Sequence, residues 1–291
     1  MTLRPFLLLV LIGLAALGGW WWTTSDESMT RNEDTTTTIS DQDAVFFEVP
    51  ALTSKRIHTS NAGARYTIDI DYPEVTLSTH PALAKEANDV IGGFLKETQA
   101  NFVTQTKELF SPSVPVEFSS DLTMNWTPLL VSPELISVRF EYSAYVAGAA
   151  HPDHRTRILN YDLANHRLLA PTDLFASTTL ALPFLSDFSR DALRAQMADE
   201  PEDLFRDMTL PGTEPTHENF QEIGVTQEGL LVVFNPYQVA PYARGTIEVP
   251  ISLSALEVAS GTPGLSPAVA AAIRLSKENF RAAMEETPVA P

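Results

Sequence analysis

The chain predicts an α+β fold with mostly antiparallel sheet and packed helices, preceded by an N-terminal transmembrane or signal helix. Three observations carry this. Short segments of alternating apolar and polar residues cluster between turns rich in Gly, Pro, Asn and Asp. Apolar residues at helical spacing occur in separate long segments, without the regular strand–helix alternation of βαβ units. The chain also opens on a long uncharged apolar run.

That run, Phe6 to Trp22, reads FLLLVLIGLAALGGWWW. As a helix it spans about 25 Å, the short end of what crosses a bilayer. Arg4 is the only charge before it, and Asp26 and Glu27 follow it. A basic start and an acidic exit place the amino end in the cytoplasm. Trp20, Trp21 and Trp22 suit the membrane–water interface. Ala16-Leu17-Gly18 is a passable signal-peptide cleavage site. Cleavage there would leave three tryptophans at the new terminus, so an uncleaved anchor is favoured. Either way the rest of the chain is exported. The expected location is the inner membrane, with the folded part in the periplasm or outside the cell, or secretion if the leader is cut. Thr24 to Ala44 holds six acids, one base and the run Thr35 to Thr38, the composition of a solvated tether.

In the folded part, Tyr66, Ile68, Ile70 and Tyr72 alternate along Ala64 to Tyr72 and predict a strand. Ser78-Thr79-His80-Pro81 opens a helix, with Pro81 in its first turn. Leu83, Ala87, Val90, Ile91, Phe94, Leu95 and Phe102 form its buried stripe, and Gly92-Gly93 is a point of weakness. Val116 to Trp126 and Glu134 to Val146 predict two more strands. In the second, Ile136, Val138, Phe140, Tyr142, Ala144 and Val146 share one face, and Arg139 and Glu141 the other. Thr156 to Tyr161 is a fourth strand, with Asp162 to Arg167 as its turn. A helix over Thr178 to Met197 ends at an acidic, Pro-marked break, Asp199 to Asp203. Phe220 to Val225 and Leu230 to Phe234 form a hairpin about Gln227-Glu228-Gly229. Gly245 to Ile251 is the last strand, and Ser266 to Glu286 an Ala-rich amphipathic helix. The expected organisation is a leader over 1–23, a linker over 24–44, a folded domain over 45–257 and a C-terminal linker, helix and tail over 258–291. The folded domain divides into two consecutive regions, about 45–147 and 148–257.

Composition narrows the function. The chain has 291 residues, 19 Lys plus Arg against 37 Asp plus Glu, and a formal net charge of −18. A surface this acidic excludes nucleic acid as the main partner, since phosphate binding needs a cationic face. Cysteine is absent, which removes disulfides, thiolate metal ligands and cysteine nucleophiles. There is no nucleophile elbow, no Walker loop and no Gly-x-Gly-x-x-Gly, so neither serine hydrolysis nor nucleotide binding has support, and no cofactor is expected. His151-Pro152-Asp153-His154 is the one spacing that resembles a metal site, and it lacks a clear further ligand. Phe234 to Gly245 joins two strands and is rich in Tyr, Pro and amides. It is either a structural corner or part of a recognition surface.

Two groups of motifs resemble one family. The first is Tyr142-Ser-Ala-Tyr145-Val-Ala-Gly148-Ala-Ala-His151-Pro152, followed by Asn160-Tyr161-Asp162 and Thr172-Asp173-Leu174-Phe175. The second is Phe234-Asn235-Pro-Tyr237-Gln238-Val-Ala-Pro-Tyr242-Ala-Arg244-Gly245 with Val249-Pro250-Ile251. Both are similar to the exported RsiV-like domain, which is described as paired regions of unknown function. The family's common Gly-Gly-Ala-His is here Gly148-Ala149-Ala150-His151. The resemblance implies an α+β ectodomain of the lysozyme-binding, anti-sigma-factor type. The few residues before the leader are too short for a sigma-binding domain, and no added catalytic domain follows. What carries over is a tethered, non-enzymatic binding module of the cell envelope. Its expected partners are a basic lysozyme-like protein or peptidoglycan, with the membrane held through the leader. His151, Asn235, Tyr237, Gln238, Tyr242 and Arg244 are the expected binding residues. The alternative is an envelope hydrolase or metal-dependent enzyme using His151, Asp153 and His154.

Overall fold

The structure, a computed structural model, describes residues 48–109, 119–257 and 262–285. The expected leader helix, the tether and the first residues of the strand expected at Val116 lie outside them. Among the described residues no helix is long and apolar enough to cross a membrane.

Among the described residues nine strands form two sheets. Strands β1 (Ala51–Asn61), β2 (Tyr66–Thr76), β3 (Ser120–Val131), β4 (Leu135–Tyr145), β5 (Asp153–Asp162) and β6 (Arg167–Leu168) lie side by side in chain order. Strands β7 (Ile223–Thr226), β8 (Gly229–Phe234) and β9 (Ile247–Ser252) make a smaller antiparallel sheet. The α+β class holds, but the larger sheet is mixed, because β2 and β3 are parallel. The cause is the long helix α1 (Pro81–Leu109) between them, since parallel neighbours need a crossover that returns the chain to its starting edge.

Helix α1 covers one face of the large sheet. Leu83, Ala87, Ile91, Leu95 and Phe102 pack against Ile68, Ile70, Ile136, Val138 and Phe140, with Val90 and Phe94 partly buried beside them. The helix runs unbroken through Gly92 and Gly93, whose missing side chains face open space. Asn88 fastens it to the end of β2, where the side-chain amide exchanges two 2.8 Å hydrogen bonds with the backbone of Val75. Glu48 holds the chain's entry. Its carboxylate accepts hydrogen bonds from the N–H and hydroxyl groups of Ser78 and Thr79, just before α1. Those bonds, with the Ser78 hydroxyl foremost, lower the carboxyl pKa from 4.5 to about 2.

The opposite face of β4 and β5 is also covered. The small sheet packs there together with α2 (Thr178–Gln196), α6 (Pro267–Glu285) and the short α5 (Leu253–Glu257). The acidic break after α2 is itself helical: α3 (Glu202–Leu204), a π turn over Phe205–Thr209 and α4 (Leu210–Gly212) follow one another. Phe205 and Thr209 are buried, and the Arg194 guanidinium lies 3.9 Å from the Phe205 ring centre. Another strand that the sequence pattern did not signal is β1. Nine of its eleven residues are exposed, and only Leu52 and Ile57 reach the core, too far apart to set an alternation.

The small sheet meets the large one through polar side chains. Strand β7 is an edge strand, so Ile223 and Val225 direct backbone groups away from β8. Ser137 Oγ accepts from Val225 N at 3.1 Å, and Asn160 Nδ2 donates to Ile223 O at 2.7 Å. Glu222 accepts from Arg157 Nη1 at 3.0 Å and from Ile158 N at 2.7 Å. Arg139 reaches both Glu141 and, on β9, Glu248. Buried backbone groups need partners: Ser137 of β4 and Asn160 of β5 supply them for β7, and Glu222, just before β7, supplies one for Ile158 of β5.

Candidate functional site

Two loops meet at one end of this inter-sheet contact. The first joins β4 to β5 and carries His151. It turns at Gly148, whose φ of 97° lies in the region that favours glycine, and Ala149 N donates to Val146 O at 2.9 Å. The second joins β8 to β9 through residues 235–246. It contains a short 3₁₀ turn, Tyr242–Arg244, that closes on Gly245 at φ 67°.

Asn235 and Gln238 brace the second loop. Asn235 Oδ1 accepts from Thr156 N at 2.6 Å while its Nδ2 donates to Thr156 O at 3.2 Å, a two-point clamp onto β5. Gln238 Nε2 donates to Asn219 O at 2.8 Å and Gly212 O at 3.2 Å, and its Oε1 accepts from Asn235 N. Thr209 Oγ1 donates to Val239 O at 2.9 Å. Gly212 permits this contact, because a Cβ there would stand 2.0 Å from Gln238 O.

The braced loops bring four rings together. Tyr242 stacks on His151 with centroids 4.0 Å apart and planes 28° apart, and lies 6.0 Å from the His154 ring at 22°. Tyr237 sits 5.4 Å from Tyr242 and 6.2 Å from His151. Hydrogen bonds fix the set. Tyr242 donates its hydroxyl to Pro152 O at 2.8 Å, and His151 Nδ1 is 2.8 Å from the same carbonyl. A carbonyl only accepts, so this contact assigns the His151 proton to Nδ1. Nε2 of the neutral ring is then an acceptor, and it receives the Tyr237 hydroxyl at 3.3 Å. Tyr237 is 57% exposed and has φ 70°, left-handed backbone that a bulky residue rarely adopts. Such a conformation costs about 1–3 kcal/mol and persists only where its surroundings dictate it.

Of the residues that the sequence singles out, His151, Tyr237 and Tyr242 therefore come together. Asn235 and Gln238 serve them from behind, with their amides spent on backbone partners. Arg244 is engaged elsewhere, in an ion pair with Glu200. His154 joins the ring cluster, whereas Asp153 pairs with Arg155. Neighbouring residues of a strand face opposite sides, which separates His154 from Asp153. Among the described residues no three His, Asp or Glu side chains are grouped to hold a metal ion. No local pattern marks the Pro152 carbonyl or Thr156, since through backbone atoms they meet partners 90 and 79 residues away.

The Asn160-Tyr161-Asp162 motif is structural. Asn160 ties β5 to β7, and Asp162 accepts from the N–H and side-chain amide of Asn165 in the following turn. The Tyr161 hydroxyl faces Glu86 at 3.4 Å, and burial, with Glu86 beside it, pushes the phenol up to about 12.

Residues 172–254 match the sequence model of a family described as "Protein of unknown function (DUF3298)". The matched stretch contains the Tyr237–Tyr242 loop but not the His151 hairpin. No curated protein matches. Two solved structures are similar in fold. One is a member of the DUF3298 family from Bacteroides fragilis NCTC 9343, with 18% identity and a TM-score of 0.54, covering 77% of this chain and 97% of that one. The other is a DUF3298 family protein from Pseudomonas aeruginosa PAO1, with 14% identity and a TM-score of 0.52, covering 75% and 96%. At these identities the likeness concerns the fold alone.

Proposed function

We propose that this chain is an RsiV-like, non-enzymatic binding module of the bacterial cell envelope, held at the membrane by its leader and recognising a basic lysozyme-like protein or peptidoglycan. The observation that carries this reading is Tyr237. A large ring is presented to solvent in left-handed backbone, its hydroxyl meets His151 of the other loop, and Asn235 clamps its own loop to β5 through part-buried hydrogen bonds. Rigid, exposed tyrosine gives contact area at low entropic cost, and the rings behind it remove its freedom to turn away. The net charge of −18 supports a basic protein partner by raising the association rate at low salt.

Direct binding tests the proposal. Purified protein is titrated with a basic lysozyme, and separately sedimented with peptidoglycan sacculi, at low and at high salt. Binding to one of them is expected, together with a loss of at least about tenfold in Tyr237→Ala at an unchanged melting temperature. Salt weakens a lysozyme complex and leaves stacking on glycan nearly unaltered. Absence of binding to both at low salt, or a Tyr237→Ala variant that binds as tightly as the parent, refutes the reading.

A further inference from the structure

A cleft of about 440 Å³ lies beside β5, where β6 ends after pairing only Tyr161 and Asp162. This volume falls in the range of small-ligand sites. Its lining is chemically biased. Arg157, Asn160, His217 and Gln221 supply the polar side chains, while Leu168, Pro171 and their neighbours form an apolar wall. No Asp or Glu is among the described residues that line it, although the chain has almost two acids for each base.

We infer that this cleft binds a small carboxylate carried on an apolar body. Arg157 has five N–H donors and spends one on Glu222, whose other oxygen accepts from Ile158 N at the edge of β5. Its side chain is 36% exposed, so donors remain within reach of the cleft. Guanidinium donors match the two oxygens of a carboxylate. His217 offers an N–H in either neutral tautomer, and Gln221 offers its amide. Asn160 makes a rigid floor, because its Nδ2 is tied to Ile223 O. Leu168 is 41% exposed, an apolar side chain with space for a small aliphatic group. The ring cluster of His151, Tyr237 and Tyr242 lines none of this cleft, so the inference stands apart from the proposed envelope partner.

Such a carboxylate has two sources: the C-terminal end of a short peptide, or a free fatty acid. N-acetyl-dialanine represents the first and isobutyrate the second. Each is titrated into the full-length protein by calorimetry, beside its neutral amide. The carboxylates are expected to bind, and the amides at least about tenfold more weakly, because a charge-assisted hydrogen bond is lost. Tighter binding of N-acetyl-dialanine identifies a peptide end, and tighter binding of isobutyrate a fatty acid. Leu168→Glu and His217→Ala alter exposed residues, so both variants are expected to keep the parent's circular dichroism and to bind at least about fivefold more weakly. The inference is overturned if neither carboxylate binds at millimolar concentration, if the amides bind equally well, or if both folded variants bind like the parent.

Discussion

Replacing Asn235 with alanine tests the clamp that sets the ring cluster. The side-chain amide satisfies both the N–H and the C=O of Thr156, a residue only 3% exposed. Alanine leaves both groups without that partner. A buried unsatisfied donor or acceptor costs about 1–3 kcal/mol, and water entering the vacated space recovers part of it for two adjacent groups. The expected loss is therefore about 3 kcal/mol. For a folded part of this size each kcal/mol lowers the melting temperature by about 2–4 °C, so a drop of roughly 6–12 °C is expected. Thermal unfolding followed by circular dichroism, with urea unfolding to check that the slope m is unchanged, measures it. Asn235→Asp is the informative partner. It keeps an acceptor for Thr156 N but sets a carboxylate oxygen against Thr156 O, and should be at least as damaging as alanine. If Asn235→Ala melts within about 2 °C of the parent, Asn235 is not what holds the two loops together.

Two further outcomes are expected. Glu48 should make stability depend on acid. Its folded pKa of about 2 lies below the ordinary value of 4.5, so its contribution is complete above about pH 4.5 and disappears as the pH falls toward 2. Urea midpoints measured between those limits should fall less steeply in Glu48→Gln than in the parent. At Gly229, with φ 144° and the Ile251 carbonyl 2.1 Å from where a Cβ would stand, alanine forces the start of β8 away from the end of β9 and should cost about 2 kcal/mol or more, read as a lower urea midpoint.

Local pattern sufficed for much of the fold. The stripe from Leu83 to Phe102 could only be one face of a long helix, and Pro81 marked its start. The alternation through Ile136, Val138 and Phe140 fixed both a strand and its core-facing side. Gln227-Glu228-Gly229 marked a hairpin that closes as expected. These features depend on neighbours in sequence, where period and turn chemistry act directly. Strand β1 escaped because an edge strand with a solvated face needs no apolar period. The helical run through Phe205 escaped because Pro201 and Pro211 sit at helix starts, where proline is tolerated.

The composition of the loops also drew notice to His151, Tyr237 and Tyr242, but not their roles. Ser137, Arg139, Thr156 and Asn160 alternate with apolar residues as a water-facing side would. Tertiary structure turned that side inward, because β7 arrives with unpaired backbone groups that only polar side chains can satisfy. By itself the sequence determined the elements whose apolar residues keep a period, such as α1, β4 and the β7–β8 hairpin, and which face of α1 and β4 is apolar. Only the packing of one sheet on the other decided that the polar face became an interior joint, and that Asn235 should reach across 79 residues to hold an aromatic cluster at its end. Hydrogen bonds from a side chain to a distant backbone group leave no period in the chain, which is why that decision belongs to the folded state.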